Sequence, residues 1–373
     1  MKLKKLIIFI VLTICRPFSL MQKINPDKIT FISLESDSLN GDFKMISRAL
    51  EDHYDYRLNY ILIKFEKTLG GNIKYFFTCI RQLFAINSSK LVILDYNNYV
   101  VSAFKRRGVK VLQLWHASGA IKAFGNEVNR DYEIKHYNYV ICNSPYFKES
   151  YANAFGVDES KVKVTGIPKT DLLFSKRQAN RDRRLVYERF PQLKGKKVIL
   201  YAPTFRGRLM HGFKGDYINL DYIQKELGDE YIVAYKMHPL LRDKLISSSD
   251  QVVCCNGVSI RALFAVSDLL ISDYSAIIID YSISGKPMIF YVPDLDEYRE
   301  EVGLFVDYEK EMPGPICKSE DEVIKAIKDD QFDAKALKNF RDKMFRYQDG
   351  NSLNRVMKLI IKIMGGRYEK ILD

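Results

Sequence analysis

The sequence lacks the short motifs that identify many nucleotide-dependent enzymes. It contains no G-x-x-x-x-G-K-[ST] loop and no G-x-G-x-x-G run, which disfavours a P-loop nucleotidase or a dinucleotide-dependent dehydrogenase. Its six cysteines form no C-x-x-C pair, and no carboxylate cluster shows the spacing of metal ligands. A zinc or thioredoxin-like site is therefore not expected, and we predict that the protein needs no metal and no cofactor.

The apolar run at the N-terminus is too short to span a membrane. Residues 6–15 follow a basic start, as in a signal peptide, but ten helical residues do not cross a hydrocarbon core of ~30 Å. No A-x-A-like cleavage site follows, and Arg16-Pro17 interrupts the run. We predict that residues 1–28 form an uncleaved element that lies against a membrane or packs on the protein. A secreted protein is the alternative.

Positive charge is concentrated at the two ends of the chain. The 373 residues include 58 lysines and arginines against 46 aspartates and glutamates, a net charge of +12. Residues 1–30 carry +5 and residues 335–373 carry +6, so the remainder is nearly neutral. Enzymes that act on nucleic acids usually carry cations over their binding face, so we expect no nucleic-acid partner. Basic ends indicate contact with an anionic membrane surface, although solvated termini would also explain them.

Short apolar runs rich in β-branched residues alternate with helix-length amphipathic segments along the chain. The spacing leaves room for crossover helices and predicts parallel sheets. Two series of such runs indicate an α/β protein with two Rossmann-like domains, each large enough to bury its own core. The predicted strands are 29–33, 58–63, 90–95, 109–115, 138–143 and 161–165 in the first series, and 197–202, 231–236, 251–255, 268–272 and 287–292 in the second.

A polar, strongly basic stretch separates the two series. We place the first domain at 29–170, the linker at 171–195, the second domain at 196–345, and a basic C-terminal helix and tail at 346–373. The helix is predicted from Asn351 to Met364, because its apolar residues lie near one face and its cations on another. The cysteines, several of them within apolar runs, are typical of buried free thiols in a reducing cytosol.

Ligands of Rossmann-like domains bind outside the carboxyl ends of the parallel strands, so the residues that follow each strand are the site candidates. His116 follows strand 109–115, where an imidazole can act as a general base on a hydroxyl. Gly119, in the same loop, allows a ligand to approach closely. A histidine that only makes a structural hydrogen bond in a turn is the alternative for His116.

Polar and cationic residues also follow two strands of the second series. Thr204 and Arg206 come after the first of them, and Arg206 offers a guanidinium fork suited to phosphate. Lys236 and His238 come after the next strand, where an imidazole can donate to a phosphate oxygen. A turn with a solvated arginine is the alternative at Arg206.

Ser275 lies after strand 268–272, where a helix is expected to begin. A serine at the N-cap binds free backbone N–H groups, and a helix start attracts anions, although the capping role alone would explain Ser275. Asp280 stands in the apolar stretch that follows. A carboxylate there is costly unless it is paired, so we expect it to reach a ligand hydroxyl. The strand ends together predict a nucleotide-diphosphate site opposite a base.

Four motifs, in order and at suitable spacing, resemble those of the CDP-glycerol glycerophosphotransferase family, the teichoic-acid polyol-phosphate transferases. The resemblance extends over about residues 29–345. The motifs are Leu114-Trp115-His116-Ala117-Ser118-Gly119-Ala120-Ile121-Lys122 with Phe124-Gly125; Tyr201-Ala202-Pro203-Thr204-Phe205-Arg206; Met237-His238-Pro239; and Ser272-Asp273-Tyr274-Ser275 continuing to Asp280 and Gly285-Lys286-Pro287.

The resemblance implies a GT-B-like fold, in which two Rossmann-like domains with parallel sheets face a central cleft. It implies that the N-terminal domain binds the acceptor and the C-terminal domain binds a CDP-activated donor. His116 becomes the candidate catalytic base. The implied donor and phosphate ligands are Thr204, Arg206, Lys236, His238, Ser275 and Asp280, and the implied acceptor loop contains Ser118, Gly119 and Lys122.

The implied reaction is transfer of a polyol phosphate, glycerol phosphate first, from the CDP-linked donor to an acceptor on a lipid carrier. CMP is released, and the enzyme works at the cytoplasmic face of the cell membrane. Two departures from the family pattern concern substrate preference: Ala117-Ser118-Gly119 replaces the frequent Gly-Thr-Pro, and Ala276 replaces a second serine.

The alternatives to this function are a nucleotide-sugar glycosyltransferase or epimerase of the same fold and a non-catalytic membrane-surface binding protein. Six properties stay open from the sequence: glycerol or ribitol as the polyol, the acceptor, primase or polymerase action, the need for a metal ion (although its absence is favoured), the oligomeric state, a homo-oligomer included, and whether residues 6–15 insert in the membrane.

Overall fold

Two six-stranded parallel sheets organise the described part of the chain. The structure, a computed structural model, describes residues 3–66, 68–204, 218–237, 246–247 and 249–369. The chain divides into two compact units. The first unit comprises Met1–Ser118, Ala123–Asp171 and Phe345–Asp373, and the second comprises Gly119–Lys122 and Leu172–Met344.

The sheet of the first unit is built from strands β1 (Asn25–Ser33), β2 (Arg57–Leu62), β3 (Ser89–Leu94), β4 (Lys110–Gln113), β5 (Tyr139–Cys142) and β6 (Val162–Val164). The strand order is β2-β1-β3-β4-β5-β6, and every neighbouring pair is parallel. The chain leaves β1 toward one edge and returns on the other side at β3. The topological switch point of this sheet therefore lies between β1 and β3.

Helices cover this sheet on both faces, as parallel strands require. They are α1 (Leu3–Met21), α2 (Gly41–His53), α3 (Leu69–Asn87), α4 (Tyr99–Phe104), α5 (Lys148–Phe155) and, from the end of the chain, α15 (Ser352–Met364). Helix α15 belongs to the core of the first unit, where Val356, Met357, Ile360 and Ile361 pack with residues of β1, β3 and β4.

The sheet of the second unit is built from strands β7 (Lys197–Tyr201), β8 (Tyr231–Tyr235), β9 (Val253–Cys254), β10 (Leu269–Ser272), β11 (Met288–Tyr291) and β12 (Ile316–Cys317). The strand order is β12-β11-β10-β7-β8-β9, again wholly parallel. The switch point of this sheet lies between β7 and β10.

The helices described in the second unit are mostly short. They are α6 (Asp171–Phe174, which begins at the last residue of the first unit), α7 (Lys176–Arg189), α8 (Leu220–Leu227), α9 (Ile260–Phe264), α10 (Ile277–Ser282), α11 (Leu295–Glu301), α12 (Tyr308–Glu311), α13 (Glu320–Lys328) and α14 (Ala334–Met344). A core of aliphatic and aromatic side chains from β7, β8, β10, α8 and α13 closes one face of the sheet.

The strands predicted from the apolar runs are confirmed, and each observed strand overlaps its predicted range. Strand β12 was missed, because its two residues stand between Pro313-Gly314-Pro315 and Lys318 and form no apolar run. The predicted linker contains α7, which begins at a Ser175 cap and buries Asp182 and Val186 in the second unit. The predicted C-terminal tail is likewise part of a core, because one face of α15 is apolar and is buried in the first unit.

Helix α1 is longer than the apolar run of residues 6–15. It continues past Pro17 to Met21, so Arg16-Pro17 ends the apolar run but not the helix. The helix packs along α3, and Asn87 Nδ2 donates to Ser19 Oγ at 2.9 Å. Leu12 is its buried apolar contact with the unit. Within the described residues, no helix combines the length and hydropathy needed to cross a membrane.

The attachment of α15 gives a testable prediction. Asp171 supplies the N-terminal cap that Asn351 does not, because its two carboxylate oxygens accept from Ser352 N at 2.9 Å and Leu353 N at 2.8 Å. We expect Asp171→Ala to lower the free energy of unfolding by about 1–2 kcal/mol in urea titrations. Asp171→Asn keeps one acceptor oxygen and should lose less. Equal stability of the alanine variant and the wild type would contradict this role.

Candidate functional site

The loop after β4 presents His116 through a strained backbone. Trp115 adopts a left-handed conformation with φ of 61°, which costs a non-glycine residue on the order of 1–3 kcal/mol. The backbone is held there because Trp115 N donates to Gln113 Oε1 at 2.9 Å. Gln113 is fully buried and donates in turn to Tyr96 O at 3.1 Å. This conformation follows the end of β4 at Gln113, and the next residue, His116, is exposed.

Aromatic rings hold this loop in place. The indole of Trp115 stacks on Phe124, with ring centroids 4.7 Å apart, and Phe155 meets it edge-on at 5.3 Å. The imidazole of His116 stacks on Tyr96 with centroids 5.6 Å apart, yet His116 remains exposed. Lys169 Nζ donates to the backbone oxygen of His116 at 2.5 Å. A fixed backbone with an accessible imidazole suits a general base.

The remaining residues of the predicted acceptor loop divide between the two units. Ser118 stays with the first unit, where it is buried and its backbone oxygen accepts from Asn143 Nδ2 at 2.6 Å. Gly119 and Lys122 are grouped with the second unit. There Lys122 forms an antiparallel bridge with Leu304, and the adjacent Ile121 accepts from a backbone N–H at 2.8 Å. These backbone bonds attach residues 119–122 to the second unit.

In the second unit, Thr204 lies at the switch point between β7 and β10, where ligands of parallel sheets bind. Thr204 is buried, and its backbone N–H donates to both carboxylate oxygens of Asp273 at 2.9 Å. Asp273 itself is held by Tyr308, whose hydroxyl donates to its backbone oxygen at 2.9 Å. The hydrogen bond between Thr204 and Asp273 thus joins the loops after β7 and β10, both of which the sequence predicted to be part of the site.

Ser275 does not cap the helix that follows it. The N-cap of α10 is Ala276, and Ser275 Oγ lies 3.5 Å from Ile277 N, at the limit of a hydrogen bond. Because α10 has only six residues, its dipole adds little attraction for anions. Asp280 lines a cavity of about 180 Å³ that α7 and α9 also border, together with Asp182 and Lys286. Asp280 therefore lies beside a cavity within the second unit that charged side chains help to line.

Lys236 follows β8, as predicted, and its amine donates to Asn256 O at 3.3 Å. Burial lowers the pKa of this amine. Arg206 and His238 lie outside the described residues, so their predicted roles at the donor phosphates stay predictions. Among the described residues, no group of histidine, cysteine, aspartate and glutamate has the geometry of a metal site.

Asp95 is a candidate that the sequence interpretation missed. It follows β3 at the switch point of the first sheet, and it precedes Tyr96, whose ring stacks on His116. Ser33 Oγ donates to Asp95 Oδ2 at 2.7 Å, whereas the buried Oδ1 accepts no hydrogen bond from the described residues. The signal that identified His116, a polar residue directly after a predicted strand, also applies to Asp95.

The comparison with known proteins decides the family. Residues 14–362 match the family described as CDP-Glycerol:Poly(glycerophosphate) glycerophosphotransferase. The chain belongs to this family. The resemblance that the four motifs carry is thereby confirmed, and so is the prediction of a polyol-phosphate transferase of teichoic acid synthesis.

Three curated relatives illustrate the range of the match. A teichoic acid ribitol-phosphate primase of Bacillus spizizenii is 31% identical over 92% of this chain and 92% of its own length. A teichoic acid poly(ribitol-phosphate) polymerase of the same organism is 31% identical over 91% of this chain but 56% of its own length. A teichoic acid glycerol-phosphate primase of Bacillus subtilis is 29% identical over 75% of this chain and 76% of its own.

Solved structures show the same fold. The wall teichoic acid polymerase TagF aligns with a TM-score of 0.73 at 23% identity, over 92% of this chain and 90% of that chain. A UDP-N-acetylglucosamine 2-epimerase aligns with a TM-score of 0.55 at 15% identity, over 94% and 99%. At these identities the likeness concerns the fold alone, and it confirms the predicted pair of parallel α/β units.

The environment of Asp95 gives a pH-dependent prediction. Burial, with smaller contributions from Glu35 and Asp42, raises the pKa of its carboxyl to about 7. Between pH ~4 and ~7 the folded protein keeps a proton that the unfolded chain has lost, so its free energy of unfolding falls as pH rises. The Asp95→Asn variant has no carboxyl to ionise, so it does not lose stability in this way as pH rises. It keeps an oxygen that accepts from Ser33.

We therefore expect the stability of Asp95→Asn relative to wild type to increase from pH 4.5 to pH 8, by about 3 kcal/mol. Urea unfolding at both pH values measures the difference. Asp55→Asn, at an exposed position, serves as the matched control. A stability difference for Asp95→Asn that is independent of pH would refute the raised pKa.

Proposed function

We propose that the protein transfers a polyol phosphate from a CDP-activated donor to a hydroxyl of a membrane-linked acceptor and releases CMP. The observation that carries this proposal is the exposed His116 on a backbone held by Gln113, Lys169 and an aromatic stack, in a chain of the glycerophosphotransferase family. An accessible imidazole with a fixed backbone is what proton removal from an acceptor hydroxyl requires.

The proposed step is a displacement at phosphorus. The acceptor oxygen attacks the β-phosphorus, which bears the polyol, and His116 takes the proton of the acceptor hydroxyl. The bond between the β-phosphorus and the bridging oxygen breaks, and CMP leaves with that oxygen. Charge on the diphosphate calls for fixed cations and N–H donors. We assign this role to Lys236, Arg206 and His238, with Thr204 and Ser275 as hydroxyl donors and Asp280 as a ligand of the polyol or ribose.

The polyol can be glycerol or ribitol. The family description names glycerol phosphate, and relatives named for each of the two polyols match the chain. The ribitol-phosphate primase is matched over nearly its whole length, which favours ribitol as the second candidate donor. Parallel assays with CDP-glycerol, CDP-ribitol and UDP-sugars, read as CMP or UDP release, separate these donors from those of a glycosyltransferase.

The role of His116 gives the next prediction. His116→Ala should lower CMP release at least a hundredfold, because a general base contributes roughly 10²–10⁴-fold to rate. It should leave the affinity for the CDP-linked donor unchanged, as measured by calorimetry. The control is His53→Ala, an exposed histidine at the end of α2. Near-normal turnover of His116→Ala would remove this residue from the mechanism.

We also propose that the protein binds the membrane surface through α1 and α3. Eleven of the fifteen exposed large apolar side chains among the described residues lie on these two helices, which pack against each other. On α1 the outward stripe includes Ile10, Ile14 and Phe18, and on α3 it includes Ile73 and Phe77. Apolar exposure of this extent, with cations beside it, is typical of helices that lie in a bilayer interface.

The flanking charge supports this surface. Arg16, Lys23 and Lys74 are exposed on or next to the two helices, where they can meet anionic headgroups. The C-terminal segment supports it less than the sequence suggested, because the apolar face of α15 is buried in the first unit. A peripheral position with the acceptor on a lipid carrier follows from this proposal.

The membrane surface gives a further prediction. The double variant Ile14→Ser/Phe18→Ser should bind vesicles that contain anionic lipid at least tenfold more weakly, since burying each side chain stabilises by ~1.5–3 kcal/mol. Vesicle co-sedimentation measures the change. Leu185→Ser, at an exposed apolar position of the second unit, is the control. Unchanged binding of the double variant would exclude α1 as the contact.

A further inference from the structure

Helix α7 carries a concentration of positive charge that the proposed reaction does not use. Its fourteen residues include six cations and two acids. The helix packs on α9 and buries Asp182 and Val186, so one side belongs to the core of the second unit. The other side remains exposed.

Three arginines share this exposed side. Arg177, Arg181 and Arg184 are spaced four and three residues apart, which places them on one face over ~10 Å of helix. They border an open depression of about 370 Å³, which Ser175 and Gln178 also line. A row of guanidinium groups beside a depression can hold a narrow, extended ligand.

Neither of the two acids of α7 forms an ion pair with these three arginines among the described contacts, although Glu188 lies one helical turn from Arg184. Asp182 accepts from Gln178 Nε2 at 3.0 Å and forms an ion pair with Arg261 of α9, so its charge is used on the buried side. Within the described ranges, Arg177, Arg181 and Arg184 form no ion pair and no side-chain hydrogen bond. Their charge is available to an anionic partner.

We propose that this arginine face, formed by Arg177, Arg181 and Arg184, binds the phosphodiester backbone of the acceptor chain. The guanidinium fork matches phosphate oxygens, and three forks in a row match successive phosphates of a linear polyanion. The proposal rests on the proposed function and adds to it that the acceptor already carries polyol-phosphate units, which make it such a polyanion. Repeated phosphodiesters, and not a nucleotide, are the ligand class.

A bilayer fits this face less well than a single chain does. The face is a depression, and Leu185 is the one exposed large apolar residue on α7. By contrast, helices α1 and α3 of the first unit each expose at least three large apolar side chains. Interfacial helices bury such residues among the lipids. Charge without apolar anchors favours a hydrated polyanion.

The test measures binding directly. A fluorescent synthetic oligo(glycerol phosphate) is titrated with the full-length protein, and anisotropy is followed at several salt concentrations. We expect Arg177→Gln/Arg181→Gln/Arg184→Gln to bind at least tenfold more weakly and with a shallower salt dependence. The control Lys318→Gln/Lys325→Gln/Lys335→Gln removes the same charge from exposed positions of the second unit and should bind like wild type. Circular dichroism confirms that each variant is folded.

Two outcomes would overturn the proposal: equal weakening of oligomer binding in both triple variants, or unchanged oligomer binding in the arginine variant. Weaker binding of anionic vesicles by the arginine variant, with unchanged oligomer binding, would assign the face to the membrane instead. A lysine variant at the same three positions should bind with intermediate affinity, because it keeps the charge and loses the fork. CMP release with a monomeric acceptor is measured alongside. Its absence in wild type would refute the proposed function and leave the binding result intact.

Discussion

Burial of both faces of each parallel sheet is the constraint on which the rest of this structure depends. Parallel strands must be covered by helices on both sides, so polar chemistry is confined to the strand ends and the loops that leave them. His116 follows β4, Asp95 follows β3, and Thr204 and Asp273 follow β7 and β10. Each of the two sheets has a switch point at which neighbouring loops diverge, and polar residues meet at both.

The two switch points differ in how they are filled. In the second unit the N–H of Thr204 is shared between the two carboxylate oxygens of Asp273, and this contact joins the loops after β7 and β10. In the first unit Asp95 keeps one bond from Ser33, and burial raises its pKa to about 7. The first arrangement stabilises two loops against each other. The second places a carboxyl that is costly to ionise next to the ring that supports His116.

Positive charge lies in three different surroundings in this chain. The cations near α1 flank an exposed apolar surface. Three of the six cations of α7 line a depression and form no ion pair among the described residues. The cations of the C-terminal segment flank a helix that is part of a core. Net charge and its distribution along the chain cannot distinguish these surroundings, because they depend on which side of each helix is buried.

The strands were predictable because buried parallel strands are continuous apolar runs, and only the two-residue β12 escaped this signal. The strand-end residues were predictable for the same reason, since they follow those runs directly. The boundaries of the two units were harder to predict from the sequence. Residues 119–122 belong to the second unit through backbone bonds to residues far along the chain. Helix α15 is bound to the first unit through Asp171, which lies 181 residues before Ser352. No local pattern encodes such contacts.

The sequence by itself determined the α/β class, the positions of the strands and the family, because these depend on hydrophobic period and on residues at fixed spacing. Only the tertiary structure decided how those residues are presented. The left-handed backbone of Trp115 depends on Gln113 and on rings brought from Phe124 and Phe155. Helix α10 begins one residue later than expected, so Ala276 and not Ser275 is its N-cap. Long-range packing sets these conformations, and packing is what a linear pattern does not specify.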